Sequence, residues 1–515
     1  MKRMLSVMIA VMMLLAAIPT LSLADAATQE EITVTILVPQ DPGLRPKQST
    51  SLVWDYIREQ TGINFERQIV QGSDQVQLMF ASRDYPDMMA SVGASATQLM
   101  QAADAGDLVD LWPLLQERAP TWVKFFEENP IVYNMEKING SIYTLPNVKQ
   151  DPYERLLRDQ ILYIYTWLDE VGMTVPTTTE EFKDVLIAIK EAAGTGTIPE
   201  DVIPYYYFFD SYVGGQFDIY GSFGVLVTSA DYLMVDPDGK VICQAVNPDI
   251  KDALKYLQEL YSLGLTPAEC FTDDWNGYIS KISSNPPITF CYGSYANRLP
   301  AVTYAMGALD SETGRKSYIR PQTLTANPAR TTAVFSNCEN VERIVDFFEW
   351  ATAYDNAITM INGMEGTVWD KNEEGKYFLH FWETEPDLMN EKAEYVGFNN
   401  SWFGLLDYEF YTEHFYNPNS DIVGTREWTF DNVYVNQLPD WDCVYLAGTL
   451  DEDSNVIMGQ YATDLNEFRK QTFATWITTD ANIDAEWDSY VGQMEALGLE
   501  DWLALKQQAY DLVKG

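Results

Sequence analysis

In "EITVTILVP", Ile32, Val34, Ile36 and Val38 alternate with Thr33 and Thr35, the two-residue period of a strand. The next stretch, "SLVWDYIREQTG", puts Leu52, Val53, Tyr56 and Ile57 on one helical stripe and closes at Gly62, a helix-ending glycine. "INFERQIV" alternates again, "DQVQLMFAS" has helical spacing, and "YPDMMASVG" reads as a short buried strand after a turn. Strand, helix, strand, helix, strand predicts an α/β lobe whose parallel strands are joined by right-handed crossovers.

From about Gly106 the pattern changes. "LVDLWPLLQERAP" and "TWVKFFEENP" are short helices bounded by proline, and "NGSIYTLPNV" is a strand after an Asn-Gly turn. Phe182, Val185, Leu186 and Ile189 then form the buried face of an amphipathic helix, with Thr177-Thr178-Thr179 offering its N-cap. "DALKYLQELYSLG" and "VERIVDFFEWATAY" are further helices, and the apolar "PPITFCYGSY" is a strand of a second sheet. The C-terminal region is helical: Trp487, Tyr490, Val491, Met494 and Leu497 make one stripe after an Asp484 cap, and Gly498 separates it from "LEDWLALKQQAYDLVKG".

Ahead of the first strand, Lys2 and Arg3 precede a mostly apolar run from Met4 to Ile18 and a small-x-small pattern at Ala24-Asp25-Ala26. The run is too short for a membrane span and predicts an export signal over residues 1–26, so the mature chain begins near Ala27, in the periplasm or outside the cell. No lipobox cysteine follows the run, since the first cysteine is Cys243. Two cations and one anion leave with the signal, taking the net charge from −43 to −44. Such a surface repels nucleic acid and anionic membranes and favours a soluble monomer.

Five scattered cysteines without a CxxC are not a disulfide framework, leaving one or two bridges and buried free thiols both open. With two histidines, His380 and His414, zinc sites of the HExxH or multi-histidine kind are excluded. "GMEGTVWDKNEEGKYF" places Asp370, Asn372, Glu374 and Gly375 at positions 1, 3, 5 and 6 of a calcium-loop pattern, yet position 12, which needs a bidentate carboxylate, is Phe381. The stretch is therefore predicted to be a turn between two strands. No cofactor is expected; a structural Ca²⁺ lacks a complete motif here, and "DEDSN" from Asp451 is the other stretch acidic enough to suggest one. Neither GxSxG nor GxGxxG is present, "GTGTIP" at Gly194 failing the latter.

Five pieces in order carry a family resemblance: "DQVQLMFASRDYPDMM", "NGSIYTLP", "WLDEVGMTVPTTTEEF", "NGMEGTVWDKNEEGKYF" and "WDSYVGQMEALGLEDWLALKQQAYD". Together they resemble the family 1 extracytoplasmic solute-binding proteins of bacterial ABC importers, the oligosaccharide-binding type. The resemblance implies a two-lobed α/β fold of the type II periplasmic-binding-protein kind, each lobe a mainly parallel sheet flanked by helices, with a helical C-terminus. Lobe 1 is assigned 27–148 plus 325–370, and lobe 2 149–324 plus 371–515. The implied function is capture of an oligosaccharide by hinge closure and delivery to ABC permease subunits, with no enzymatic step. In two respects the chain departs from the family: it lacks the lipobox cysteine, and Tyr165-Thr166 stands before Trp167 where members often carry Arg and Asp.

A sugar offers an apolar face and a rim of hydroxyls, so its cleft needs flat aromatic rings and fixed polar groups. Trp275 ("TDDWNGY"), Tyr292 and Tyr295 ("CYGSYANR"), Trp369, Trp402 ("NNSWFG") and Trp441 ("PDWDC") stand beside turn-forming residues and are the aromatic candidates. Asp41, after the first strand, Arg298 and Glu365 are the polar ones. Two alternatives stay open on sequence. A glycoside hydrolase needs two carboxylates roughly 5 to 9 Å apart, which 76 acidic residues supply by chance. Acid plus aromatics would also suit a polyamine or peptide binder.

Overall fold

The computed structural model describes residues 30–39, 50–70, 72–153, 159–295, 297–299, 302–322, 327–380, 392–398 and 404–514. Two sheets organise it. The first has six strands, β1 (Ile32–Val38), β2 (Ile63–Ile69), β3 (Met88–Ala90), β4 (Thr144–Lys149), β9 (Asn327–Val334) and β12 (Leu405–Leu406), in the order β12-β4-β9-β3-β1-β2. The second has four, β5 (Gln160–Ile164), β6 (Ile203–Tyr206), β7 (Thr289–Ser294) and β8 (Thr303–Met306), in the order β8-β5-β7-β6.

The alternation read in β1 sets its two faces. Val34, Ile36 and Val38 point into a core shared with the helices Val53–Thr61 and Val341–Trp350, while Leu37 points into the opposite core with Met79, Leu99 and Phe335. β1 runs parallel to β2 and β3, β12 runs parallel to β4, and β9 is antiparallel to β3 and β4. Gly62 ends the first of these helices at φ +69°, a conformation that favours glycine. Thr178 caps Thr179–Glu191 in a full capping box with Glu181.

The two-lobed α/β arrangement expected from sequence is present. In the smaller sheet β5 is antiparallel to both neighbours, and only β6 and β7 are parallel. The reason is connectivity: β5 arrives from the first lobe and runs away from it, whereas β7 and β8 run back. The chain passes between lobes from β4 to β5, from β8 to β9, and again between β12 and the buried Tyr434 of the second core.

The lobe boundary read at 370/371 cuts through the hairpin of β10 (Trp369–Lys371) and β11 (Tyr377–Leu379) and puts β11 in lobe 2. The hairpin packs instead on helix Tyr354–Ile361 and on Leu406 of β12, beside the six-stranded sheet. Its turn is built as read: Asn372 Oδ1 accepts from Glu374 N (3.0 Å) and Lys376 N (2.9 Å), and Gly375 adopts φ +79°. Three C-terminal helices, Glu452–Thr478, Ile483–Ala496 and Leu499–Lys514, complete the second core, with Trp476, Trp487 and Trp502 buried. Asn482, not Asp484, caps the middle one, because Asn482 Oδ1 lies 3.1 Å from Ala485 N while Asp484 is drawn to Lys255 at 2.8 Å. All five cysteines are free, buried thiols.

Candidate functional site

Strand register locates the edges that face the lobe junction. In the larger sheet β1, β3 and β4 run toward the N-terminal end of β9, since β1 is parallel to β3 and β9 is antiparallel to both β3 (Ala90 with Thr332) and β4 (Asn147 with Asn327). In the smaller sheet Ser294 pairs with Gln160, Tyr292 with Tyr206 and Met306 with Ile161. Its junction edge therefore carries Asp159, Phe208 and Tyr295, the residues that border these strand ends. Open α/β sheets bind ligands at such carboxyl ends.

Trp275 stands at this edge. It opens helix Trp275–Ile282, held by Asp274, which accepts from Gly277 N (2.8 Å), and the residue is 37% exposed. Its ring lies 6.0 Å from Phe208 and 5.9 Å from Tyr278, and Phe208 stacks on Tyr278 at 5.7 Å. Beneath them the Tyr278 hydroxyl donates to the Gly293 carbonyl, fixing the platform to β7. Tyr206 donates to Asp273, which Lys281 also meets at 2.6 Å. Burial, then the bond to Asp273, pushes the Tyr206 phenol up, so it remains a donor. The result is a partly exposed indole packed against two tilted rings.

Tyr295 and Arg298 also belong to this edge. The Arg298 guanidinium sits 4.8 Å over the Tyr295 ring, and Arg426 donates to the Tyr295 carbonyl. Among the described residues, Arg298 Nε is buried without a hydrogen-bond partner. Of the sequence candidates, Trp275 thus lies on the second lobe against Phe208 and Tyr278, and Tyr295 and Arg298 pair with each other on the same lobe.

The others do not join them. Tyr292 is wholly buried within β7 and is a core residue, because its position on the central strand turns the ring into the sheet's packed face. Trp369 is 1% exposed, its indole donating to the Gly363 carbonyl (2.9 Å) and its ring packed on Tyr377; it fills a satellite core rather than a cleft. Trp441 donates to the Val235 carbonyl (3.0 Å) and meets Tyr318 edge-on in another such cluster, so it too is a packing residue. Glu365 is exposed on the first lobe, close enough to help raise the Tyr56 phenol to about 12 after burial and Asp355. Asp41 and Trp402 lie outside the described residues.

Sequence reasoning missed Phe208 and Tyr278, which support the indole. The unbroken run "YYYFF" over 205–209 was the signal for Phe208, since the inward and outward faces of one short strand cannot both be core without a second layer. Both acidic stretches considered for calcium have other partners. Asp370 meets His380 Nε2 at 2.8 Å, and Asp451 caps the helix after it by accepting from Ser454 N and Oγ. Among the described residues no group of three or more His, Cys, Asp and Glu side chains is placed to hold a metal ion, and no helix is long and apolar enough to cross a membrane.

A family model described as bacterial extracellular solute-binding protein matches residues 49–358. The fructooligosaccharide ABC transporter substrate-binding protein FusA of Streptococcus pneumoniae is 25% identical over 510 residues, spanning 94% of this chain and 91% of the relative. The solved structure of S. pneumoniae FusA in complex with kestose superposes with a TM-score of 0.80 at 23% identity, covering 94% of this chain and 99% of that one. An HMO-binding, ABC-transporter-associated solute-binding protein from Bifidobacterium longum infantis gives 0.76 at 18% identity, with the same coverage.

Proposed function

The chain belongs to the bacterial extracellular solute-binding proteins, and from that premise we propose that it captures an oligosaccharide between its lobes and presents it to the permease of an ABC importer. The observation that carries the sugar reading is Trp275, a partly exposed indole packed against Phe208 and Tyr278 on the second lobe. Such an indole matches the apolar side of a pyranose or furanose ring. On the same lobe Arg298 Nε is a buried donor with no hydrogen-bond partner among the described residues. FusA's fructooligosaccharides make a chain of sugars, rather than one, the class to test first.

The mechanism is a population shift. Ligand touching both lobes has differential affinity for the closed form and draws the protein into it; no bond is made or broken. Residues 1–26 act as the export signal, and the acidic monomer docks on its permease without nucleic acid or membrane contacts of its own.

Trp275→Ala is the local test. With kestose or nystose as probe, affinity should fall by about 1 to 3 kcal/mol, because one large contact is removed from the ligand. Isothermal titration reads that loss. If the variant binds every saccharide that the wild type binds with unchanged affinity, Trp275 is not part of the site.

A further inference from the structure

A fully buried charge cluster sits where the chain passes between lobes. Asp159 immediately precedes β5, the strand by which the first connection reaches the second lobe, and Arg320 lies a few residues before the return to β9. Arg320 Nη2 and Asp159 Oδ2 are 2.7 Å apart, with side-chain exposures of 1% and 0%. The same Asp159 oxygen accepts from Gly214 N (2.9 Å), and Arg320 Nη1 donates to the Tyr212 carbonyl (2.9 Å). Arg320 Nε is 3.4 Å from Asp218, and its guanidinium lies 4.9 Å over Tyr212 and 5.2 Å over Phe217.

One planar fork therefore holds three pieces of chain: the outgoing connection, the returning connection and the loop that leads from Phe208 to helix Phe217–Ser222. Phe208 N donates to the Gly214 carbonyl, closing that loop on itself, and Phe208 is the ring behind Trp275. A buried ion pair is weak as a source of stability, since desolvation offsets its attraction. What the guanidinium offers that an apolar filler cannot is several donors in fixed directions.

We propose that Arg320 is a positioning residue: it ties Asp159 and its own segment, on two of the three interlobe connections, and the Phe208–Phe217 loop into one rigid unit, so that lobe closure carries the aromatic platform onto the ligand in a single geometry. This rests on the solute-binding reading above.

The test uses the full mature chain with spin labels at the exposed positions Glu66→Cys and Glu191→Cys, one on each lobe, and kestose and nystose as probes. The charge-free variant Asp159→Asn/Arg320→Met/Asp218→Asn avoids stranding a buried charge. Expected in the wild type is a narrow interlabel distance that shifts on saturation; expected in the variant is at least tenfold weaker binding and a broad or unshifted distance at saturation. Trp275→Ala, by contrast, should bind weakly yet keep the narrow shift when saturated. A variant with wild-type affinity and a wild-type narrow shift overturns the inference while leaving the solute-binding reading intact. Should the triple variant fail to fold, Arg320→Lys, which keeps the charge and loses the fork, must show the same broadening, and a wild-type distance there overturns the inference equally. A wild type that neither binds nor shifts with any saccharide removes the functional reading and this inference with it.

Discussion

Trp369→Ala is expected to destabilise the folded state by about 3 to 5 kcal/mol, the usual result of emptying a closed site of a buried tryptophan. The ring is enclosed by Ala357, Ile358, Val368, Tyr377 and Leu406, and its indole nitrogen satisfies the Gly363 carbonyl. Removing it therefore leaves both a cavity and an unpaired acceptor. Gly363 offers no slack, because its φ is +139° and a Cβ there would come within 2.3 Å of the Tyr395 carbonyl. Equilibrium urea unfolding of Trp369→Ala and Trp487→Ala should place both in the same destabilised class, with saccharide affinity preserved at low temperature. A Trp369→Ala protein that unfolds like wild type but binds poorly would return this residue to the cleft.

Arg469→Met should be equally damaging for an electrostatic reason. Arg469, 3% exposed on the long C-terminal helix, meets Asp210 at 2.7 Å, donates to Asn466 (2.9 Å), and lies 3.8 Å over the Tyr232 ring. Its loss strands a buried carboxylate, typically a cost of about 3 to 5 kcal/mol. Asp210→Asn in addition should recover a large part of that loss, a non-additivity that a double-mutant cycle measures. Burial raises the Asp210 carboxyl above its ordinary value even with Arg469 opposing it. The folded state thus takes up a proton at higher pH than the unfolded chain, and stability falls as pH rises through that window. The single variant should accordingly be most destabilised at neutral pH and less so as pH is lowered toward the carboxylate range. An Arg469→Met effect that is flat with pH, or one that Asp210→Asn fails to reduce, would show that the pair acts through packing alone.

Local rules carried the elements well. The alternation of Val34, Ile36 and Val38, the Thr178 capping box and the Gly62 helix end are each decided by a few adjacent residues, and each appears where the pattern puts it. The site was less legible. Asn and Gly neighbours reveal that the backbone turns near Trp369 and Trp441, but they do not say to which side the indole points. In both cases it points inward, into small cores that exist only because distant segments pack there. Trp275 differs because its helix begins near the strand-end edge, where the residue stays partly exposed. The hairpin's lobe was also beyond local reading: β10 and β11 are fixed to the first lobe by helix Tyr354–Ile361 and by Leu406 of β12, contacts between parts of the chain far apart in sequence. The cluster of Asp159, Arg320 and Asp218 was invisible for the same reason, its members being separated by 59 residues or more along the chain.

Titration calorimetry of the mature protein with fructose, sucrose, kestose and nystose tests the central claim most directly. Binding without turnover should give heat that saturates at one saccharide per chain, with kestose or nystose bound more tightly than fructose and recovered unchanged afterwards. Heat that persists after the sites are filled, with shortened saccharides in the cell, or the tightest binding with fructose itself, would contradict it.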